Sequence, residues 1–222
     1  MKARHQKWME KHGRTYKDEV EMARHFEVFK ANADFIDRTN TAGGAKFRLA
    51  INRFADMTQD EFAAVHAGGF KPLQPRVTGQ EGACYIIQNG GIDSNYSYPY
   101  YAAEGHCGYS TPPAAMIRGF QDVPMGDEAA LLMAVTKQPM SAAIDASSVE
   151  FRHCAGGIFT ADKCTLSIDH GVTVVGYGVE DGTLYWLIKK SWGKFWGDEG
   201  YLKLEMGVNA CGIAQLASYP TV

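Results

Sequence analysis

The chain has 222 residues, 45% of them hydrophobic and 21% charged, which is ordinary for a globular protein that can bury a sizeable core. A net charge of −3 with mixed signs gives no reason to expect nucleic acid or a membrane surface as a partner. No apolar run approaches the roughly 18 residues of a membrane span, and the first residues lack the apolar core of a signal peptide.

The N-terminal residues predict two helices, over 3–11 and 18–40, separated by a turn at Gly13. In the second helix, seven residues recur at steps of three and four and therefore share one face. These residues are Glu21, His25, Val28, Phe29, Asn32, Ile36 and Asn40.

Residues 47–56 alternate in polarity and predict a short strand. The next segment has Thr58 and Glu61 at the spacing of a capping box, which predicts a helix reaching about residue 66. Residues 68–75 carry two glycines and two prolines and predict an extended connector.

The C-terminal half predicts a helix and a mostly β-structured region. Asp127 is placed to cap a helix over 127–137, and Met140–Ile144 predicts a strand. Residues 171–177 and 183–190 predict two antiparallel strands, because a Glu-Asp-Gly turn lies between them. This hairpin brings His170, at the head of the first strand, close to the tail of the second.

Sequence motifs around His170 resemble the right-hand domain of papain-like cysteine proteases. They are Asp169-His170-Gly171, Trp186-Leu187-Ile188-Lys189, Ser191-Trp192-Gly193 and Trp196-Gly197 with Gly200-Tyr201.

The N-terminal third resembles the inhibitory pro-segment of the same family. Its second helix follows the pro-segment pattern, with His25 where the family has arginine, and a second motif matches at Asn52, Phe54 and Asp56. The resemblance implies an α+β fold in which a helical pro-segment, residues 1–76, precedes a truncated papain-like domain, residues 77–222. That domain is expected to be dominated by the right-hand antiparallel β-barrel.

In the family, the histidine matched by His170 is the general base of a Cys-His pair, and an asparagine before Ser-Trp-Gly orients it. Here that position holds Lys190. A lysine ammonium offers no hydrogen-bond acceptor and disfavours an imidazolium beside it. The alternative is a solvated lysine that swings away and leaves His170 unoriented. The resemblance also implies that Trp192 shields the histidine from water.

The nucleophilic cysteine is harder to place. Family spacing puts it about 130–150 residues before the histidine, which lands at residues 20–40, where there is no cysteine. On this count roughly 45 to 65 residues of the left-hand domain are missing. Cys84 lies in a Gly-Ala-Cys-Tyr fragment that fits the nucleophile motif. However, Glu81 replaces the family's preceding cysteine and the following helix is short, which favours Cys84 as an ordinary helix position.

The family resemblance also assigns pocket residues and cysteine partners. Ala143, Ile168, Gly171 and Leu216 match the lining of an apolar specificity pocket. Cys164 and Cys211 match a disulfide, whereas the partner of Cys107 falls in the missing block. Cys154 stands where the family has an aromatic residue. No cysteine or histidine spacing indicates zinc, so no metal or cofactor is expected.

The sequence therefore predicts a homologue of papain-family endopeptidases that is catalytically impaired, with a peptide or protein as substrate. The alternatives are a non-enzymatic pro-segment inhibitor of a related cysteine protease and a weakly active enzyme that uses Cys84 and His170. The family travels to the vacuole, the lysosome or the outside, and the Asn95-Tyr96-Ser97 glycosylation sequon fits that route. Loss of an interdomain interface predicts exposed apolar surface and self-association.

Overall fold

The computed structural model of the chain describes residues 1–67, 85–99 and 112–222. Both predicted N-terminal helices are confirmed, as α1 (Lys2–His12) and α2 (Glu19–Ala42). Helix α1 ends where Gly13 adopts a left-handed conformation with φ 61°, which glycine tolerates without strain. Helix α2 begins after Asp18, whose side chain accepts a hydrogen bond from the Glu21 N–H.

The strand predicted over 47–56 is shorter than expected, because β1 covers only Phe47–Leu49. The chain then turns, since the Asn52 side chain accepts a hydrogen bond from the Phe54 N–H at 3.0 Å and its carbonyl accepts one from Ala55. The residues after Leu49 alternate in polarity but form a turn, not a continuation of the strand. The capping box is confirmed at α3 (Gln59–Phe62), which continues as a π-helical turn over Ala63–Ala67.

Residues 112–222 contain two α-helices, two short 3-10 helices (Ala161–Lys163 and Ala210–Gly212) and seven strands. The predicted helix forms as α4 (Glu128–Val135), capped by Asp127, and the second is α5 (Val149–His153). The strands are β2 (Gly119–Asp122), β3 (Met140–Ile144), β4 (Cys154–Phe159), β5 (His170–Glu180), β6 (Thr183–Lys189), β7 (Tyr201–Glu205) and β8 (Ala217–Thr221).

Eight strands of the described chain form one sheet in the order β1-β4-β7-β6-β5-β3-β8-β2. All neighbouring pairs are antiparallel except β4 and β7, which run parallel. The predicted hairpin is β5–β6, with Glu180 opposite Thr183 and Thr173 opposite Lys189. Strand β1 lies at one edge, so the N-terminal third adds a strand to the sheet of the C-terminal part.

The main hydrophobic core lies under this sheet and contains residues from both parts of the chain. Trp186 and Ile188 of β6 are fully buried in it. The N-terminal third contributes Ile36, Phe47, Leu49, Phe54 and Phe62. A smaller core between α1 and α2 is built from Trp8, Phe29, Ala33 and Ala55. Among the described residues, no helix combines the length and the hydropathy needed to span a bilayer.

Candidate active site

His170 is the first residue of β5 and lies opposite Ile144 of β3. Its imidazole is partly buried and contacts the Trp192 indole edge-on, with 5.4 Å between the ring centroids. The predicted proximity between the head of β5 and the segment after β6 is therefore present. Trp192 covers one side of the imidazole, as a shield against water would.

Trp192 belongs to an aromatic cluster that both parts of the chain build. The cluster consists of Phe54, Phe62, Phe151, Trp192 and Trp196. The ring centroids of Phe62 and Trp196 lie 5.1 and 5.0 Å from that of Trp192, and those of Phe54 and Phe151 lie 5.7 Å away. Because these contacts are edge-to-face, they add to the stabilisation from area burial. The indole beside His170 is consequently held in place and is only 7% exposed.

Lys190 is buried, so the alternative of a solvated lysine that swings away was wrong. The residue is 4% exposed, and its Nζ lies 3.8 Å from the centroid of the Trp192 ring. The reason is that the Lys190 N–H donates to the Gly200 carbonyl at 2.9 Å, which fixes the chain at the end of β6. Burial lowers the pKa of Lys190 well below its usual value, against the opposing charge of Asp169.

The lowered pKa changes the effect expected of Lys190 on His170. The sequence predicts a charged ammonium that disfavours an imidazolium at His170. A neutral amine repels that imidazolium less. Within the described part of the chain, however, Nζ has no hydrogen-bond partner. Lys190 therefore does not accept the hydrogen bond that, in the family, the imidazole donates to the amide oxygen of the asparagine.

Two carboxylates order the loops that precede His170. Burial by itself would raise the pKa of Asp145, but hydrogen bonds from Ser147 and Thr165 outweigh it and lower that pKa. Asp169 accepts a hydrogen bond from the Ala146 N–H at 2.8 Å, and burial raises its pKa. These contacts join the loop after β3 to the loop before β5 and so fix where His170 begins its strand.

Three of the four predicted pocket residues are adjacent in the structure. Ala143 lies opposite Gly171 across β3 and β5, and its N–H donates to the Leu216 carbonyl at 2.9 Å. Ile168 lies two residues before His170 and packs against Gly212, where a Cβ on the glycine would lie 3.0 Å from its Cγ2. Their role in binding a substrate stays a prediction.

The predicted disulfide between Cys164 and Cys211 is confirmed, with Cα atoms 5.1 Å apart. Cys84 and Cys107 lie outside the described residues. Cys154 is a buried free thiol, and burial raises its pKa to about 11, which makes it a poor nucleophile. No group of three or more metal-ligating side chains occurs within the described ranges.

Arg152 and His153 are buried polar residues that the sequence patterns did not indicate, and they are 1% and 0% exposed. Burial lowers the pKa of Arg152 to about 10 and that of His153 to about 3. Neither ring nitrogen of His153 has a hydrogen-bond partner among the described residues. The only sequence signal for their burial is that both polar residues lie between the apolar residues Phe151 and Cys154.

Comparison with known proteins gives two family matches. Residues 5–62 match the cathepsin propeptide inhibitor domain, and residues 79–221 match the papain family cysteine protease domain. The fold and the matches together define a protease domain preceded by an inhibitory pro-segment. The chain belongs to the papain family of cysteine proteases.

Full-length relatives and zymogen structures agree with this assignment. Senescence-specific cysteine protease SAG39 of Oryza sativa subsp. japonica is 34% identical over 100% of this chain and 90% of its own length. The solved structure of recombinant stem bromelain precursor superposes with a TM-score of 0.86 at 28% identity, covering 99% of this chain and 98% of its own. The digestive procathepsin L2 proteinase of Tenebrio molitor superposes with a TM-score of 0.88 at 26% identity, covering 99% of both chains.

The alignment with the rice protease also measures what this chain lacks. It spans 308 positions, whereas the chain has 222 residues, so at least 86 positions hold no residue of this chain. The predicted 45 to 65 missing residues concern only the interval between the nucleophile and His170, whereas the 86 positions are counted over the whole alignment.

Proposed function

We propose that this protein is a papain-family homologue with a zymogen-type pro-segment whose cysteine-protease chemistry is impaired. The observation that carries the proposal is the buried Lys190, which stands where the family has its orienting asparagine and packs its amine on the indole of Trp192. The 86 or more positions of the alignment with the rice protease that hold no residue of this chain support the same conclusion.

Thiol proteolysis needs a thiolate, a base beside it and a group that orients the base. The thiolate attacks the substrate carbonyl to give an acyl-thioester, and the imidazolium protonates the leaving amine. His170 is the residue we assign as the base. Cys84 is the candidate nucleophile, since Cys154 is buried and its raised pKa keeps the thiol protonated. Because Lys190 lacks the uncharged amide oxygen of the family's asparagine, we expect this chemistry to be slower than in an intact papain-family protease.

We assign residues 1–76 to the pro-segment and residues 77–222 to the protease domain. The substrates we propose are peptides or proteins, bound beside the apolar residues Ala143, Ile168, Gly171 and Leu216. The disulfide fits a protein that passes through an oxidising compartment, on a route to the vacuole, the lysosome or the outside.

A second candidate function is inhibition of a related cysteine protease by the pro-segment. It is favoured by the match of residues 5–62 to a propeptide inhibitor domain and by the well-formed α1–α2 hairpin. In this function the chain would need no nucleophile of its own.

The test is covalent labelling with an epoxysuccinyl activity probe, read by mass spectrometry. We expect the wild-type chain to react at least about 100-fold more slowly than an intact papain-family protease, as loss of one member of a catalytic triad commonly costs this much or more. Cys84→Ser is the control that locates any labelling. Rapid stoichiometric labelling of Cys84 would refute the impairment.

The inhibitor function is tested separately by adding the full chain to an intact papain-family protease and following hydrolysis of a peptide substrate. Unchanged hydrolysis at micromolar chain would exclude that second candidate and leave the first one standing.

A further inference from the structure

The sequon Asn95-Tyr96-Ser97 is the single Asn-x-Ser/Thr sequence of the chain, and the structure places it in a surface turn. All three of its residues are exposed, Tyr96 to 96%. A sequon can accept an oligosaccharide where it lies on a surface loop, because the transferring enzyme must reach the peptide around the asparagine. The exposure of the whole sequon meets this requirement.

The turn that carries the sequon has a defined backbone conformation. The Tyr98 N–H donates to the Ser94 carbonyl at 2.9 Å, and the Ser97 N–H donates to the Ser94 hydroxyl at 3.1 Å. At the base of the turn, the Ile92 N–H donates to the Ala115 carbonyl at 2.9 Å. The acceptor residue therefore projects from a fixed turn that lies outside the eight-stranded sheet.

The modification that fits this turn is a transfer of an oligosaccharide from a lipid diphosphate. The Asn95 amide nitrogen forms a bond to the anomeric carbon of the first sugar, and the bond between that carbon and the lipid diphosphate breaks. The diphosphate leaves with the electron pair of that bond, and the amide loses one proton. The donor belongs to the secretory route, whose oxidising environment also suits the disulfide between Cys164 and Cys211.

The segment around the sequon exposes large apolar side chains. They are from 38% to 96% exposed and comprise Tyr85, Ile87, Ile92, Tyr96 and Tyr98. Apolar surface of this kind favours contact with other molecules unless something covers it. Because Ile92 and Tyr98 are each three residues from Asn95, their Cα atoms lie within about 11 Å of the Asn95 Cα. A hydrated oligosaccharide on Asn95 would stand directly over these side chains.

We propose that Asn95 carries an N-linked oligosaccharide and that this oligosaccharide covers the exposed apolar side chains of residues 85–98. The inference rests on the proposed passage of the protein through an oxidising compartment. It is independent of the catalytic competence of His170.

The experiment expresses the full chain behind a cleavable secretion signal in a eukaryotic cell, and both the secreted and the retained protein that has lost the signal are analysed. We expect peptide-N-glycosidase to increase the electrophoretic mobility of this protein and to convert Asn95 to aspartate, as located by mass spectrometry. Asn95→Gln and Ser97→Ala are expected to abolish the mobility shift, whereas Ser97→Thr preserves the sequon and the shift.

Asn89→Gln is the matched control, because Asn89 is an exposed asparagine of the same segment that lies outside a sequon. We expect it to leave the mobility shift unchanged. Since the added signal delivers the chain to the secretory route, an unmodified Asn95 would overturn the glycosylation site and leave the proposed route unaffected.

Sedimentation velocity of the purified proteins tests the covering role. We expect Ser97→Ala, which lacks the oligosaccharide, to self-associate at a lower concentration than the glycosylated wild-type chain. Ser97→Thr is the control that changes the same residue and keeps the oligosaccharide, and it is expected to behave as the wild type does. Equal self-association of Ser97→Ala and Ser97→Thr would overturn the covering role.

Discussion

A lysine amine packed on an indole ring is stabilised as a cation by the ring but penalised by the loss of water around its charge. For Lys190 the desolvation outweighs the other effects, since burial lowers its pKa well below the usual value. The unfolded chain then binds more protons than the folded chain at every pH between the folded and the unfolded pKa. The free energy of unfolding therefore decreases as pH falls through that window.

Replacing Lys190 by methionine keeps much of the volume and removes the group that must lose its proton. We expect Lys190→Met to raise the free energy of unfolding by about 1–3 kcal/mol at pH 7, with a smaller gain at pH 10, where the unfolded chain also begins to lose this proton. Urea unfolding at pH 7 and at pH 10 measures the gain in the free energy of unfolding at each pH. Lys189→Met is the control, because Lys189 is exposed. A loss of stability in Lys190→Met would mean that attraction to the ring outweighs desolvation.

His153 gives a second prediction at the scale of one residue. Its imidazole is fully buried without a hydrogen-bond partner among the described residues, and its pKa is lowered to about 3 by burial. We expect His153→Leu to raise the free energy of unfolding by about 1–2 kcal/mol at pH 7, since an apolar side chain replaces two unpaired polar atoms. The gain should be larger at pH 5, because unfolded histidine binds a proton below about 6.5 and the folded residue does not.

Urea unfolding at pH 7 and pH 5 checks this prediction for His153→Leu. A gain that is the same at both pH values would show that the imidazole finds a proton partner in the folded state. A loss of stability at both would show that the leucine does not fit the site.

At the scale of elements, the α1–α2 hairpin buries another histidine among aromatic rings. His5 is 5% exposed, with its ring centroid 4.8 Å from that of Phe29 and 5.7 Å from that of Trp8. Burial lowers the pKa of His5, the nearby charge of Asp56 acts in the opposite direction, and His25 reinforces the lowering. The neutral imidazole is therefore the form that the packed hairpin favours.

Folding lowers the pKa of His5. The buried neutral imidazole therefore contributes fully to the free energy of unfolding above about pH 6.5, and this contribution is lost as the pH falls through the pKa of His5 in the folded chain. We expect the hairpin to loosen between pH 6.5 and pH 5, seen as faster amide hydrogen exchange in α1. His5→Phe should remove most of this change, since phenylalanine keeps the ring contacts and carries no proton site. An unchanged pH dependence in His5→Phe would assign the effect to other groups.

At the scale of the whole molecule, apolar side chains remain on the surface. Val179 and Leu184 lie opposite each other in the β5–β6 hairpin and are 63% and 53% exposed. An exposed apolar pair on a strand hairpin favours association between copies. We expect the chain to self-associate at micromolar concentration in sedimentation velocity.

The double variant Val179→Thr with Leu184→Thr should shift the distribution toward monomer, because threonine suits a strand but presents less apolar surface. Val20→Thr serves as the control, since Val20 is 80% exposed and lies on α2, outside the β5–β6 hairpin. A monodisperse monomer for the wild-type chain would contradict the expected self-association.

The elements that could be predicted from the amino-acid sequence are those whose signals are local. Periodicity, caps and turns within a few residues predict helices α1 and α2, the capping box at Thr58 and the β5–β6 hairpin. The family pattern likewise led to the disulfide between Cys164 and Cys211.

Which residues of the two parts of the chain meet became evident from the folded structure alone. Local patterns did not indicate that Lys190 is buried against Trp192 or that β1 completes the sheet of the C-terminal part. They also did not indicate that Arg152 donates to the carbonyls of Met57 and Thr58, just before α3. The physical reason is that burial and pKa depend on neighbours distant in sequence, here as far apart as Asn32 and Arg152. A lysine or an arginine carries no local signal that it will lie in a core.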